Sequence, residues 1–291
     1  MAISRRSLAS VILLAIVPGV SSRSASAQSV LLQIRPHVGD TLSVRMDQKV
    51  EMTGVPTGCV TGYSGKRRKA VPDQRTQSCS EGTRQMTSVT EVFSRAIVQS
   101  ASIDGARVLA LTDSIRTSLS SGNSKAVKPT RVRTNTGSME LRVATDGGAQ
   151  VVDADASEEL RAVFGQMPAT LSRKPVAVGE QWTRQMRLPI STEAGAMGMV
   201  RATFRLDSLG RNGDMAYISM KGTLSHDHSD GSNSELEGWM SGTMQLDRRL
   251  AWITDTRAII DVESTVRPAT GGQPMRVRTK ITQVLRARSA R

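Results

Sequence analysis

From Leu42 onward the side chains alternate. Leu42, Val44, Met46, Gln48, Val50 and Met52 share one parity; Ser43, Arg45, Asp47, Lys49, Glu51 and Thr53 share the other. Neighbouring side chains of an extended strand point to opposite faces, so this spacing predicts a strand with one apolar and one polar face. The pattern returns at Val89, Phe93, Ile97 and Ala101, at Leu109, Leu111, Ile115 and Leu119, and at Met139, Leu141 and Val143. It resumes with Trp182, Met186, Leu188 and Ile190, and then with Val200, Ala202, Phe204 and Leu206. Ala216, Ile218, Met220 and Leu224 follow, then Leu236, Met240, Met244 and Leu246. The last runs are Trp252, Ala258, Ile260 and Val262, and Met275, Val277, Ile281 and Leu285.

Turn formers punctuate these runs: Asp104-Gly105, Asp146-Gly147-Gly148, Asn212-Gly213, Asp230-Gly231 and Gly271-Gly272. Short turns join antiparallel neighbours, and antiparallel sheets tolerate one wet face. Long strands carry right-handed twist and do not stay flat. The fold expected is all-β, mainly antiparallel: a long curved meander forming a half-open barrel or a two-sheet sandwich. One segment, residues 155–171, breaks the period. Asp155 and Glu158 are spaced as a capping box, and Leu160, Val163, Phe164 and Met167 follow at helical spacing, so one amphipathic helix is expected to lie against the sheet.

Two strands are introduced alike. Pro36-His37-Val38-Gly39-Asp40 precedes Leu42, and Pro175-Val176-Ala177-Val178-Gly179-Glu180 precedes Trp182. Proline fixes an extended approach, the glycine supplies a positive φ or a bulge, and the acid caps backbone N–H groups. The motif gathers no base or nucleophile, so its chemistry is structural. It also suggests a pseudo-twofold internal repeat within one β-rich domain, with halves at about residues 28–154 and 155–291.

The first 27 residues read as a cleaved signal peptide. Arg5 and Arg6 precede the apolar run Val11–Val17, and Ala25-Ser26-Ala27 fits a small-residue cleavage site. That run is too short to span a bilayer core of about 30 Å, and no later stretch approaches the length, so no transmembrane helix is expected in the mature chain, 28–291. Neither cysteine sits at the cleavage point, which argues against a lipoprotein. The chain is expected in the periplasm or outside the cell. Loss of Arg5, Arg6 and Arg23 lowers the formal charge from +13 to +10. Such a chain is drawn to anionic lipid or envelope polymer. Nucleic acid is not an expected partner of an exported protein with 3% aromatic residues.

In an oxidising compartment Cys59 and Cys79 are expected to form a disulfide. Closing a loop of about 20 residues stabilises by roughly 3 kcal/mol. Inside that loop Lys66, Arg67, Arg68 and Lys69 form a basic run, read as a solvated loop or as a contact for an anionic surface.

The motif Pro175 to Trp182, with a leader and a long β-meander, resembles an exported bacterial β-rich family of unknown function. More loosely, a curved sheet capped by a helix is similar in architecture to periplasmic lipoprotein carriers of the LolA/LolB type.

Chemistry for catalysis is missing from the sequence. His226-Asp227-His228 with Asp230 lacks the third or fourth ligand a zinc site needs and reads as a polar hairpin loop, so no metal and no cofactor are expected. Gly62-Tyr63-Ser64-Gly65 lacks the spacing of a nucleophile elbow. Glu235 and Glu237 share a strand face that reads as solvated. The expectation is therefore a non-enzymatic protein, with a hydrolase of unmarked site as the weaker alternative. What remains is the apolar face. Met46, Met52, Met139, Met186, Met240, Met244 and Met275, with Trp182, all read inward. Methionine adapts to varied apolar shapes, which suggests either a cup for a lipophilic small molecule or an ordinary dry core. A scaffold with a basic outer face is the other alternative.

Overall fold

The computed structural model describes residues 29–56, 84–122, 130–132, 137–152, 169–189, 197–226, 236–266 and 274–290. Among these the chain is almost wholly extended. The strands are β1 (Thr41–Pro56), β2 (Arg84–Ser102), β3 (Gly105–Ser121), β4 (Thr130–Val132), β5 (Gly137–Ala144) and β6 (Ala149–Val151). They continue with β7 (Gln181–Pro189), β8 (Met197–Gly210), β9 (Met215–His226), β10 (Leu236–Asp247), β11 (Trp252–Val266) and β12 (Met275–Ser289). The expected helix at residues 155–168 lies outside the described residues; within 169–171 no helix is present.

The strands form one antiparallel sheet in the order β6-β5-β3-β2-β1-β12-β11-β10-β9-β8-β7, with β4 paired to β3. Each half is a meander, and β1 joins β12 in the middle, Leu42 opposite Ser289 and Pro56 opposite Met275. No ladder connects β6 to β7 among the described residues, so the sheet is open. It nevertheless curls until its edges approach. Asp146, in the turn between β5 and β6, lies 3.7 Å from the guanidinium of Arg184 on β7. An extended segment passes between the edges: Val30 pairs with Val176, the Ile34 amide donates to the Thr145 carbonyl, and the Arg35 amide donates to the Ala251 carbonyl. Its alternate residues Val30, Leu32 and Ile34 are buried and plug the end of the half-barrel where β1 begins.

The two strand-leading turns share one geometry. Gly39 and Gly179 both hold φ 89°. Gly39 N–H donates to Val98 O and Gly179 N–H to Leu206 O. Asp40 accepts from the His37 amide at 2.8 Å, and Glu180 from the Ala177 amide at 2.8 Å. One residue past each carbonyl acceptor the ladder slips, at Val98/Ser100 on β2 and at Leu206/Ser208 on β8. Glycine populates the left-handed region without the Cβ clash, and the carboxylate satisfies the amide that the turn frees.

The face assignment holds on β1, β5, β8, β9, β10 and β12 and reverses in part of β2 and β3. Val89, Phe93, Ile97 and Ala101 were expected inward; the register puts Ala96, Ser94, Val92 and Thr90 there in place of the first three, opposite Leu42, Val44, Met46 and Gln48. Ala101, past the slip at Val98/Ser100, pairs with buried Ala106 and keeps the inward parity, though exposed. Phe93 faces outward, with the guanidinium groups of Arg45 and Arg116 5.3 and 5.5 Å from its ring centre. On β3 a bulge skips Asp113, since Phe93 pairs with Ser114 and Ser94 with Thr112. The extra residue inverts the parity. Val108 and Ala110 are inward before it and Ile115 and Leu119 after it, so Leu109 and Leu111 face out.

Candidate functional site

Pairing registers turn the inner face into rows that cross the sheet. One row runs Leu206, Ile218, Met244, Thr256, Leu285 and Met46 from β8 round to β1. Where the rows cross β8, β9 and β10 the side chains are sealed: Val200, Ala202, Phe204 and Leu206 are at 0% exposure. Small residues make this tight fit. A Cβ on Gly242 would lie 2.5 Å from Met220 Cε, and one on Gly222 would lie 2.9 Å from Met240 Cγ. Phe204 stacks on Trp182 with ring centres 5.8 Å apart, and Trp182 Nε1 donates to the Thr170 carbonyl at 2.8 Å.

The same rows loosen where they reach β12, β1 and β2. Met46, Val50, Met52, Ile281, Leu285 and Val92 are half-buried. The eight residues expected to line a cup therefore divide. Met139, Met186, Met240 and Met244 are buried in the core, and Trp182 packs at its margin. Met46, Met52 and Met275 stand on the looser stretch. The sequence reading passed over Gln48, Gln283 and Thr90, which occupy inward positions on one row: Ala258 pairs with Gln283, Gln283 with Gln48, and Gln48 with Thr90. Gln48 had already appeared among the inward parity; a polar residue interrupting an apolar stripe was the signal.

The two edges of the sheet meet at a polar hub that the sequence reading treated as a turn alone. Asp146 is 6% exposed. Its Oδ2 accepts from Arg173 Nε at 2.9 Å and faces Arg184 at 3.7 Å, while its backbone carbonyl accepts from the Thr170 and Leu171 amides. Arg184 also donates to the Leu171 carbonyl. The constellation holds residues 169–173 across the gap between edges.

The outer face is charged and largely self-paired. A ladder runs Arg257–Asp255 (3.3 Å), Asp255–Arg286 (3.8 Å), Arg286–Asp47 (3.7 Å) and Asp47–Arg45 (2.8 Å), and reaches Arg116 through Glu91. Asp261 is 7% exposed and receives two bonds from Arg278, at 2.9 and 2.7 Å. Those bonds hold its carboxyl below the usual carboxylate range, against the opposing pull of burial.

Several expected features lie outside the described residues: Cys59 and Cys79, the run Lys66, Arg67, Arg68 and Lys69, the leader, and Asp227, His228, Asp230 and Glu235. Glu237 is exposed, as is His37. Among the described residues no helix is long and apolar enough to cross a membrane.

No curated protein matches the chain. Among solved structures, the crystal structure of Pseudomonas aeruginosa OccK5 (OpdH) aligns with 86% of this chain and 98% of that one, at 8% identity and a TM-score of 0.26, a likeness too slight to bear on function. Residues 149–253, from β6 to the start of β11, are similar to a family of unknown function, DUF6263.

Proposed function

We propose that this protein is exported and, without catalysing a reaction, holds a lipophilic molecule against the inner face of its curled sheet. The observation that carries this reading is the contrast along single rows. Inward side chains on β8 to β10 are sealed, whereas Met46, Val50, Met52, Ile281 and Leu285 on β1 and β12 keep part of their apolar surface accessible among the described residues. Apolar area left out of a core is area a ligand can cover, at about 25 cal/mol per Å². Methionine on that stretch adapts its shape to a guest. Organic extraction of the purified protein followed by mass spectrometry tests this. A lipid released in stoichiometric amount supports it, and repeated empty extracts from protein that also takes up no apolar probe overturn it.

A second reading, a module resting on anionic lipid or envelope polymer, is favoured by one patch. Lys221 stands opposite Thr203 on the outer face, diagonal to Arg201 and Arg205, and diagonal neighbours lie about 7–8 Å apart. Arg205 lies 3.8 Å from Asp207; Arg201 and Lys221 make no ion pair among the described residues. This reading requires binding to anionic vesicles that fades with salt, since exposed charges are screened within about 8 Å at physiological ionic strength. Binding indifferent to salt counts against it.

A further inference from the structure

The inner row that is apolar on β7 to β11 becomes polar on β12, β1 and β2, where Gln283, Gln48 and Thr90 stand side by side. A glutamine amide carries two donors and a carbonyl with two acceptor sites. Gln283 Nε2 gives one bond, to the thioether of Met46 at 3.2 Å, a weak acceptor. Among the described residues the Gln48 amide and the Thr90 hydroxyl have no hydrogen-bond partner. They are not walled in either, because the one enclosed side-chain nitrogen or oxygen without a partner there is Arg184 Nε. Their hydrogen-bonding capacity is thus directed into the open part of the interior.

The neighbouring rows are hydrocarbon. Met46 and Leu285 pair on one side of the polar row, and Val50 and Ile281 on the other. No inward position of β1 from Leu42 to Met52, or of β12 from Met275 to Ala287, carries a charge. A ligand lying across these rows meets apolar surface, then neutral amide and hydroxyl groups, then apolar surface again.

We propose that the site takes a neutral amphiphile: a hydrocarbon chain interrupted by an ester, amide or hydroxyl group that lies on Gln48 and Gln283. This rests on the lipophile-binding reading above and narrows it. A carboxylate at this depth would be desolvated without a cation. A plain alkane would displace water from the amides and leave them unpaired.

The test is competition against phenylnaphthylamine, a probe whose fluorescence rises in apolar surroundings, with the purified full chain. Hexyl hexanoate, dodecane and dodecanoate serve as competitors of similar length. The expected order places hexyl hexanoate ahead of both others by about tenfold. In the double variant Gln48→Leu, Gln283→Leu, which removes both amides together, dodecane should overtake the ester while the probe still binds. Equal competition by all three, or the strongest competition by dodecanoate, overturns the ligand class and leaves the lipophile-binding reading standing. No uptake of the probe and no competition by the unaltered protein overturns both. The ligand series on the unaltered chain decides the matter even where the double variant does not fold.

Discussion

Gly39 and Gly179 hold the same left-handed φ of 89°, and each donates its amide to a carbonyl one strand over, Val98 O and Leu206 O. Neither position has an atom within 4 Å of where a Cβ would sit. Substitution therefore tests backbone conformation and not packing. Gly39→Ala and Gly179→Ala should each destabilise by about 1–2 kcal/mol, the strain of an L-residue in that region. Thermal melts of the two variants check it; two unshifted midpoints would show that the turns relax without strain.

Phe93 and Phe204 test which face is the inside. Phe204 is fully buried, and Phe204→Ala should cost about 3–5 kcal/mol. Phe93 is half-buried between two guanidinium groups, and Phe93→Ala should cost about 1–2 kcal/mol, the sum of two exposed cation–π contacts. Urea denaturation separates these values. Equal losses would return Phe93 to the interior.

Asp146 secures the approach of the two edges. Asp146→Ala leaves Arg184, a mostly buried cation, without its carboxylate, and should destabilise by about 3 kcal/mol. The loss should be local first. Hydrogen exchange is expected to accelerate at the amides of Thr170 and Leu171, which bond to this turn, before it does so on β8 or β9. Uniform acceleration would mean the edges are held by something else.

Asp261 makes stability depend on acid. Its carboxyl is held below the ordinary range chiefly by the hydrogen bond from Arg278. The stabilisation is then fully present above the unfolded value near 3.9 and is lost as pH falls through the lower folded value. Denaturation at about pH 5 and about pH 3 should show a smaller acid-induced loss in Arg278→Gln than in the unaltered protein. Identical losses would remove Asp261 from the account.

Period two carried most of the architecture, because burying one face of a strand forces alternation and leaves little freedom to the register. It failed on β3 for a local reason. Asp113 is a single unpaired residue, and one insertion swaps the parity of every side chain beyond it. Phe93 misled for another reason: a large ring outside is invisible to a hydrophobic count when its partners, Arg45 and Arg116, lie on other strands. The plugging segment was legible in principle, since Val30, Leu32 and Ile34 alternate, but three inward residues are too short a run to stand out. Asp146 looked like a turn former because its two arginines come from positions that only the curled sheet brings near. The candidate site was half legible. The methionines stood out by type, whereas Gln48 and Gln283 gain meaning only once the register sets them side by side.

The ladder between β1 and β12 has a consequence for how the protein is made. Strand β1 leaves the ribosome long before the strand that completes its far side, and until β12 docks its backbone N–H and C=O groups on that side are open to any extended chain nearby. One seam of the native sheet is thereby a contact of very long sequence separation, which delays its completion and lengthens the exposure of sticky intermediates. A holding chaperone acting before β12 arrives would shield that rim, and damage to β12 would show itself as clumping of newly made chains sooner than as a softened finished protein.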